Sequence, residues 1–214
     1  MYRAIGLPLL LSVYAFFAVI VALGKLTFWP GATPLDYWTA TSAGLAFSSA
    51  LFGFVGGLPQ VFDFLCRHTW LGRRCPPIAG TWDVTLTSNW PTVAKAHKVP
   101  GPHEAEIKGE ARIVATLFKV TIKYESLSEY SDSETISVSV DRCSDTGDVR
   151  IYDIYRNTTR KPKAGDEQLH YGAAYMDVKR PGGEVRISGV YWTNRNWTQA
   201  KSTAGLIFLT RKAV

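Results

Sequence analysis

The 214-residue chain is 46% hydrophobic and carries a formal net charge of +6, and neither property is spread evenly. Before Cys66 the only charged residues are Arg3, Lys25, Asp36 and Asp63, so the first third is neutral and the whole excess belongs to the remainder. Three cysteines, at 66, 75 and 143, are odd in number and irregularly spaced, which excludes a disulfide scaffold and zinc-site spacing.

The first element is an uncharged apolar run from Ile5 to Gly24. At the helical rise it is about 30 Å long, the hydrocarbon thickness of a bilayer. A second uncharged run follows from Trp38 to about position 62, so residues 1–66 are expected to form a transmembrane hairpin with helices at about 5–24 and 38–62. A hairpin of this kind excludes a freely diffusing enzyme. Arg67, Arg73 and Arg74 lie just beyond it, in a basic linker of residues 67–78, and basic flanks stay on the cytoplasmic side. Both termini are therefore expected in the cytoplasm, with Phe28, Trp29, Tyr37 and Trp38 anchoring the outer loop at the interface. The second span is rich in small residues: Gly44 and Ser48, Ser49 and Gly53, and Gly53 and Gly57 all stand four apart. That spacing lets helices approach closely, either within the chain or between chains. Pro59 is expected to kink or end the helix.

From Gly80 the pattern changes to strict alternation, the mark of half-buried antiparallel strands. Trp82, Val84 and Leu86 lead, followed by Ile107 to Ala115, by Phe118 to Tyr124, and by Ile136, Val138 and Val140. Turn signals at Asp145–Asp148, Lys161–Asp166 and Pro181–Gly183 separate further strands at about 148–157, 168–178, 184–194 and 203–211. The expectation is an all-β cytoplasmic domain over 79–214, an eight-stranded up-and-down antiparallel barrel with no helical segment. Such a barrel has room for one small ligand. The loop from Trp90 to Pro102 could serve as a lid or be an ordinary exposed loop.

On the later strands, polar and aromatic residues share faces with apolar ones. Tyr171 and Tyr175 accompany Leu169 and Ala173, while Tyr191, Thr193 and Arg195 continue the face of Val185, Ile187 and Gly189. Tyr155 and Arg156 point opposite ways, so one of them is internal. The candidate ligand-binding residues are Tyr155, Tyr171, Tyr175, Tyr191, Thr193 and Arg195. Tyrosines that stack, with an Arg and a Thr that hold phosphate, suit a flat, anionic, base-containing molecule. A membrane-tethered carrier of a lipid or apolar metabolite is the alternative. Asp153 and Asp177 read as cross-strand salt bridges. The scattered histidines and the absence of nucleophile-elbow or phosphate-loop motifs imply no enzyme, no metal and no cofactor.

Gly80-Thr81-Trp82 opening the first strand and Arg211 closing the last resemble the lipocalin superfamily, in which a Trp plugs the barrel floor beneath an Arg. The two N-terminal spans, the Cys/Arg-rich junction and the closing segments Gly189–Arg195 and Thr203–Arg211 resemble the two-transmembrane β-barrel effectors of bacterial cyclic-oligonucleotide anti-phage signalling (CBASS). The resemblance implies a STING-like logic on an unrelated fold at the bacterial inner membrane. A partner synthase makes a cyclic dinucleotide and the barrel binds it. The chains then self-associate and disrupt the bilayer, ending infection by cell death. It implies no nucleic acid polymer as partner.

Overall fold

The computed structural model describes residues 3–28, 33–162, 166–180 and 183–212. Trp29 of the aromatic loop, and Gly165, Pro181 and Gly182 of the turn signals, lie outside them. Helices α1 (Leu7–Thr27) and α2 (Pro34–Gly57) pair as a hairpin, and both are long and apolar enough to cross a membrane, with mean hydropathy 2.4 and 1.3. Thr33 and Asp36 cap each other's backbone at the start of α2, satisfying two amides that a helix leaves orphaned. The apolar run expected to reach position 62 divides at Leu58, whose backbone is extended. Beyond it α3 (Pro59–His68) begins as a separate amphipathic helix with Phe62 and Cys66 buried. The proline ring disfavours helical geometry in the residue before it, so the break falls at Leu58.

The small residues of α2 do two different jobs. A Cβ at Gly44 would lie 2.3 Å from the carbonyl oxygen of Ala18, and Ala40 and Ser48 are fully buried one turn to either side. This face is where α1 packs, helped by the Tyr14 hydroxyl at 2.9 Å from Ser49 Oγ. Gly53 and Gly57 point away, with no atom within 4 Å of where a Cβ would stand.

The remainder closes into one barrel in strict sequence order: β1 (Gly80–Ser88), β2 (Glu106–Ala115), β3 (Val120–Ser126), β4 (Ser131–Arg142), β5 (Val149–Thr159), β6 (Leu169–Lys179), β7 (Arg186–Thr193) and β8 (Ala204–Arg211), with β8 returning to β1. Up-and-down connectivity sends alternate connections to opposite ends. The floor carries the 116–119 and 143–148 turns together with Arg180, and it is the end that meets the helices. Leu117 N–H donates to the Gly56 carbonyl at 3.0 Å, Arg180 Nη1 donates to the Gly72 carbonyl at 2.7 Å, and Ala4 and Ile5 are buried against β4. Cys66 and Cys75 are buried at the same junction with their thiols hydrogen-bonded, and that bond and burial push the Cys75 thiol far above its ordinary range. The far end carries the 89–105, 127–130 and 194–203 connections, with residues 160–162 and 166–168 beside them at the mouth.

Trp82 lies fully buried at the floor, donating Nε1–H to the Ile78 carbonyl at 2.9 Å, with the Arg211 guanidinium 4.5 Å above its ring. Arg211 also donates to the Ala79 and Pro77 carbonyls, so the cation is satisfied as well as stacked. Two expectations are corrected. A short helix, α4 (Trp90–Ala96), lies at the mouth, because the stretch after β1 has lost its alternation. Ile136 is 57% exposed, because a bulge between Thr135 and Ser137 turns it outward and brings Thr135 in.

Replacing Trp82 with Ala should cost about 3–5 kcal/mol, the loss expected for a buried aromatic. Trp192→Ala, at a half-exposed ring on the outer wall, should cost less than about 1 kcal/mol. Denaturant unfolding of the detergent-solubilised chain, followed by far-UV circular dichroism, separates the two.

Candidate functional site

Above the Trp82 floor the barrel holds a cavity of about 1330 Å³. Its lower wall is apolar, formed by Val84, Ala111, Ile122, Met176, Ile207 and Leu209. Higher up, three tyrosines from three strands enter it: Tyr124 of β3, Tyr155 of β5 and Tyr191 of β7. Two glycines make room for them. A Cβ at Gly109 would fall 2.3 Å from the Tyr124 ring, and one at Gly172 would fall 2.4 Å from the Tyr155 ring. Each tyrosine therefore lies across a neighbouring strand where any side chain would exclude it. Burial raises the pKa of all three phenols. The proximity of Tyr191 adds to the rise at Tyr124 and Tyr155, so the hydroxyls stay neutral donors.

The rim is a charged and hydrogen-bonded ring contributed by the mouth connections. Arg195 pairs with Asp166 in a largely buried ion pair, and Tyr130 donates its hydroxyl to the same carboxylate. The Arg195 guanidinium also stacks over Trp90 at 5.0 Å, and Trp90 in turn meets His103 edge-on. Burial, then the hydrogen bond to Asp166, pushes Tyr130 up to about 12. Asn196 N–H donates to Glu167 at 2.6 Å, and Thr193 and Thr203 share a 2.9 Å hydroxyl contact. Four connections of the mouth thus converge on one arginine.

The six residues expected to bind ligand divide between the two faces. Tyr155, Tyr191, Thr193 and Arg195 line the cavity. Tyr171 is 46% exposed on the outer wall, and Tyr175 lies outside as well, edge-on to Tyr152 with Arg150 over its ring at 5.3 Å. The inward parity of β6 is that of His170, Gly172, Ala174, Met176 and Val178. Leu169 and Ala173 made the other parity look equally apolar, and a one-residue slip exchanges every side chain between faces. Of the two carboxylates read as salt bridges, Asp177 pairs with Arg150 at 3.1 Å, whereas Asp153 is buried inside the cavity wall.

Tyr124, Asn157, His170, Tyr130 and Asp166 also line the cavity, as does Asp153. Tyr124 shares the parity of Ile122, and Asp153 and Asn157 share that of Tyr155, so the inward choice of Tyr155 carries those two with it. Tyr124 Oη, Asn157 Oδ1, His170 Nδ1 and Arg195 Nε are all buried and have no hydrogen-bond partner among the described residues. Buried polar atoms of this kind cost about 1–3 kcal/mol each when left unsatisfied. A cluster of them around one cavity equips it to hold a polar ligand.

Two groups of the cavity titrate in opposite directions. Burial raises Asp153 to about 7, with a hydrogen bond from Thr135 opposing it only in part. Burial and the Arg195 charge lower His170 to about 4, against the pull of Glu167 and Asp166. Between about pH 4 and 6.5 the native state keeps the Asp153 proton that the unfolded chain releases, so this group makes stability fall as pH rises. Over the same range the unfolded chain binds the proton that native His170 refuses, so that group makes stability rise with pH. The two slopes oppose each other in the wild type. Asp153→Asn should leave stability rising with pH across that window, and His170→Gln should leave it falling from about pH 4 to 7. Denaturant melts at closely spaced pH values check both.

Residues 73–211, which span the barrel and its junction with the helices, match the family model described as "Cap15, cyclic dinucleotide receptor domain". A curated protein of Escherichia albertii, "CD-NTase-associated protein 15", is 26% identical over 210 residues, covering 97% of this chain and 93% of that protein. That similarity therefore includes the two apolar helices as well as the barrel. The chain belongs to the Cap15 cyclic dinucleotide receptor domain family.

Proposed function

We propose that this chain is a membrane-anchored receptor of anti-phage defence whose barrel binds a cyclic dinucleotide and whose helices then act on the bilayer. The observation that carries the ligand reading is the rim arginine. Arg195 is stacked on Trp90 and held by Asp166 at the mouth of a cavity whose tyrosines can stack on bases. A phosphate can take the place of the Asp166 carboxylate on the same guanidinium fork, since both are planar-recognised oxyanions. Tyr155, Tyr191 and Thr193 complete the binding set. Family membership supports the same ligand class, and the relative's association with a CD-NTase supports a partner enzyme that makes it. Tyr171 and Tyr175, on the outer wall, are left out of the set.

The output is proposed to run through the helices. The two spans would lie in the inner membrane with both termini cytoplasmic, the arginines at 67, 73 and 74 holding the barrel end on that side. Gly44 and Ser48 are already used within the hairpin, which leaves the Gly53–Gly57 face open for a second chain. Ligand drives assembly only if the assembled form binds it better. A hundredfold preference supplies about 2.7 kcal/mol per subunit.

Calorimetry of the solubilised chain with cyclic di-AMP and cyclic di-GMP tests the receptor reading. Arg195→Ala should weaken binding by about 2–3 kcal/mol. Asp166→Asn, which removes the competing anion while keeping a hydrogen-bonding side chain, should tighten it. Binding of fatty acids with no response to any dinucleotide would favour the lipid carrier instead. The output is tested by co-expression with a cyclic dinucleotide synthase and a membrane-impermeant dye. The Gly53→Ile, Gly57→Ile double variant should keep dinucleotide affinity and lose permeabilisation, and dye uptake equal to wild type would reduce the helices to anchors.

A further inference from the structure

Asp153 is the one carboxyl set in the middle of the cavity wall, away from the charged rim. It is 6% exposed, and no cation is among the groups that shift it. In register it stands between Val138 of β4 and Ala174 of β6, and Ala174 stands beside Tyr191 of β7. With only a methyl group, Ala174 puts little bulk between the strand of the carboxyl and that of Tyr191. Tyr155, two residues along the same strand, is close enough to feel the carboxyl's charge, and Tyr124 of β3 lines the same cavity.

The hydrogen bonding of Asp153 also fixes which of its oxygens is free. The bulge at Thr135 interrupts the β3–β4 ladder, whose register runs only from Lys123 to Glu125. Thr135 Oγ1 replaces the missing rungs, accepting from Ile122 N–H at 2.8 Å and donating to the Ile122 carbonyl at 3.0 Å. The same hydroxyl lies 3.2 Å from Asp153 Oδ1 and can turn its proton to that oxygen, so Oδ1 is the oxygen held by the wall. The second carboxyl oxygen is left as an acceptor in a cavity to which Tyr124, Tyr155 and Tyr191 contribute.

We propose that Asp153 is the base-reading residue of the cavity, accepting a hydrogen bond from the exocyclic amino group of one base of a bound dinucleotide stacked among Tyr124, Tyr155 and Tyr191. The inference rests on the receptor reading and narrows its ligand. Adenine and cytosine carry such an amine where hypoxanthine and uracil carry a carbonyl oxygen, and guanine carries one at the ring carbon where hypoxanthine has only hydrogen, so hypoxanthine and uracil have no amine to offer the acceptor. A site built to hydrogen-bond a group rejects analogues that lack it, because its own polar atom is then left unpaired. Asp153 therefore sets specificity, while Arg195 supplies charge-based affinity that all dinucleotides share.

Calorimetry of the full chain in detergent with five probes tests this: cyclic di-AMP, di-GMP and di-CMP, each with an amine, against cyclic di-IMP and di-UMP, which have none. The best of the first three should bind the wild type at least about tenfold tighter than either of the last two, the lower end of what one good base contact supplies. In Asp153→Leu that gap should close to within about threefold, through loss at the amino-bearing ligand and none at the others. Wild-type affinity for cyclic di-IMP or di-UMP equal to the best amino-bearing probe overturns the proposal without any variant, as does a gap that survives in Asp153→Leu. Failure of the wild type to bind any of the five overturns the receptor reading itself.

Discussion

Closing eight antiparallel strands on themselves leaves every inward side chain facing a space too narrow for bulk and too wide to fill with small residues alone. The chain resolves this by dividing the barrel along its axis. At the floor the space is filled: Trp82 lies across it, Arg211 stacks on the ring, and Val140, Ile151 and Ile187 are buried almost completely beside it. Above the floor the inward positions turn polar and the strands no longer fill the interior. Burial of a large aromatic at one end thus supplies the stability that lets the other end remain hollow.

The same division orients the molecule. Up-and-down connectivity with an even number of strands returns the C-terminus to the end where the barrel began, so β1 and β8 close the floor together and the helices attach there. The attachments are backbone-directed. Leu117 donates to the Gly56 carbonyl at the end of α2, Arg180 donates to the Gly72 carbonyl, and Arg211 reaches the carbonyls of Pro77 and Ala79. Hydrogen bonds to fixed carbonyls hold orientation more tightly than apolar contact would, because they are directional. Arg211 links this junction to the barrel interior, since the guanidinium that grips the linker also stacks on the Trp82 plug. The mouth opens at the opposite end, clear of the helices, with Arg195 joining its connections.

Much of this architecture was legible because alternation and apolar length are coarse signals that tertiary packing reinforces. Two long apolar helices follow from uncharged length, and eight strands, the Trp82 plug and its Arg partner follow from residues whose burial has a single solution. The wall facing the cavity was harder to read, because a half-filled interior relaxes the rule that inward means apolar. On β6 both parities carry apolar residues, and Met176 with Val178 decided the outcome against Tyr171 and Tyr175. On β4 the bulge at Thr135 reversed the facing of Ile136, and no local pattern announces a bulge made to serve Asp153. Gly109 and Gly172 did carry a usable signal. A glycine inside an alternating strand marks close approach, and each of these seats a cavity tyrosine.

What the interior costs indicates what it is for. Among the described residues, Tyr124, Asn157, His170 and Arg195 each hold a buried polar atom with no partner, and no cation offsets the Asp153 carboxyl. An apolar lining of the same shape would be more stable, because leaving polar atoms unsatisfied forfeits free energy at every one of them. A lipid would satisfy none of these groups except through a single head. A cyclic dinucleotide carries anionic phosphates, donors and acceptors on two bases, and flat faces for stacking, and these correspond in kind to the arginine, the orphaned amide and imidazole, the acid and the tyrosines. The instability built into the cavity wall and the chemistry of the family's ligand class are two sides of one constraint, since the groups that weaken the empty barrel are those that a dinucleotide can satisfy.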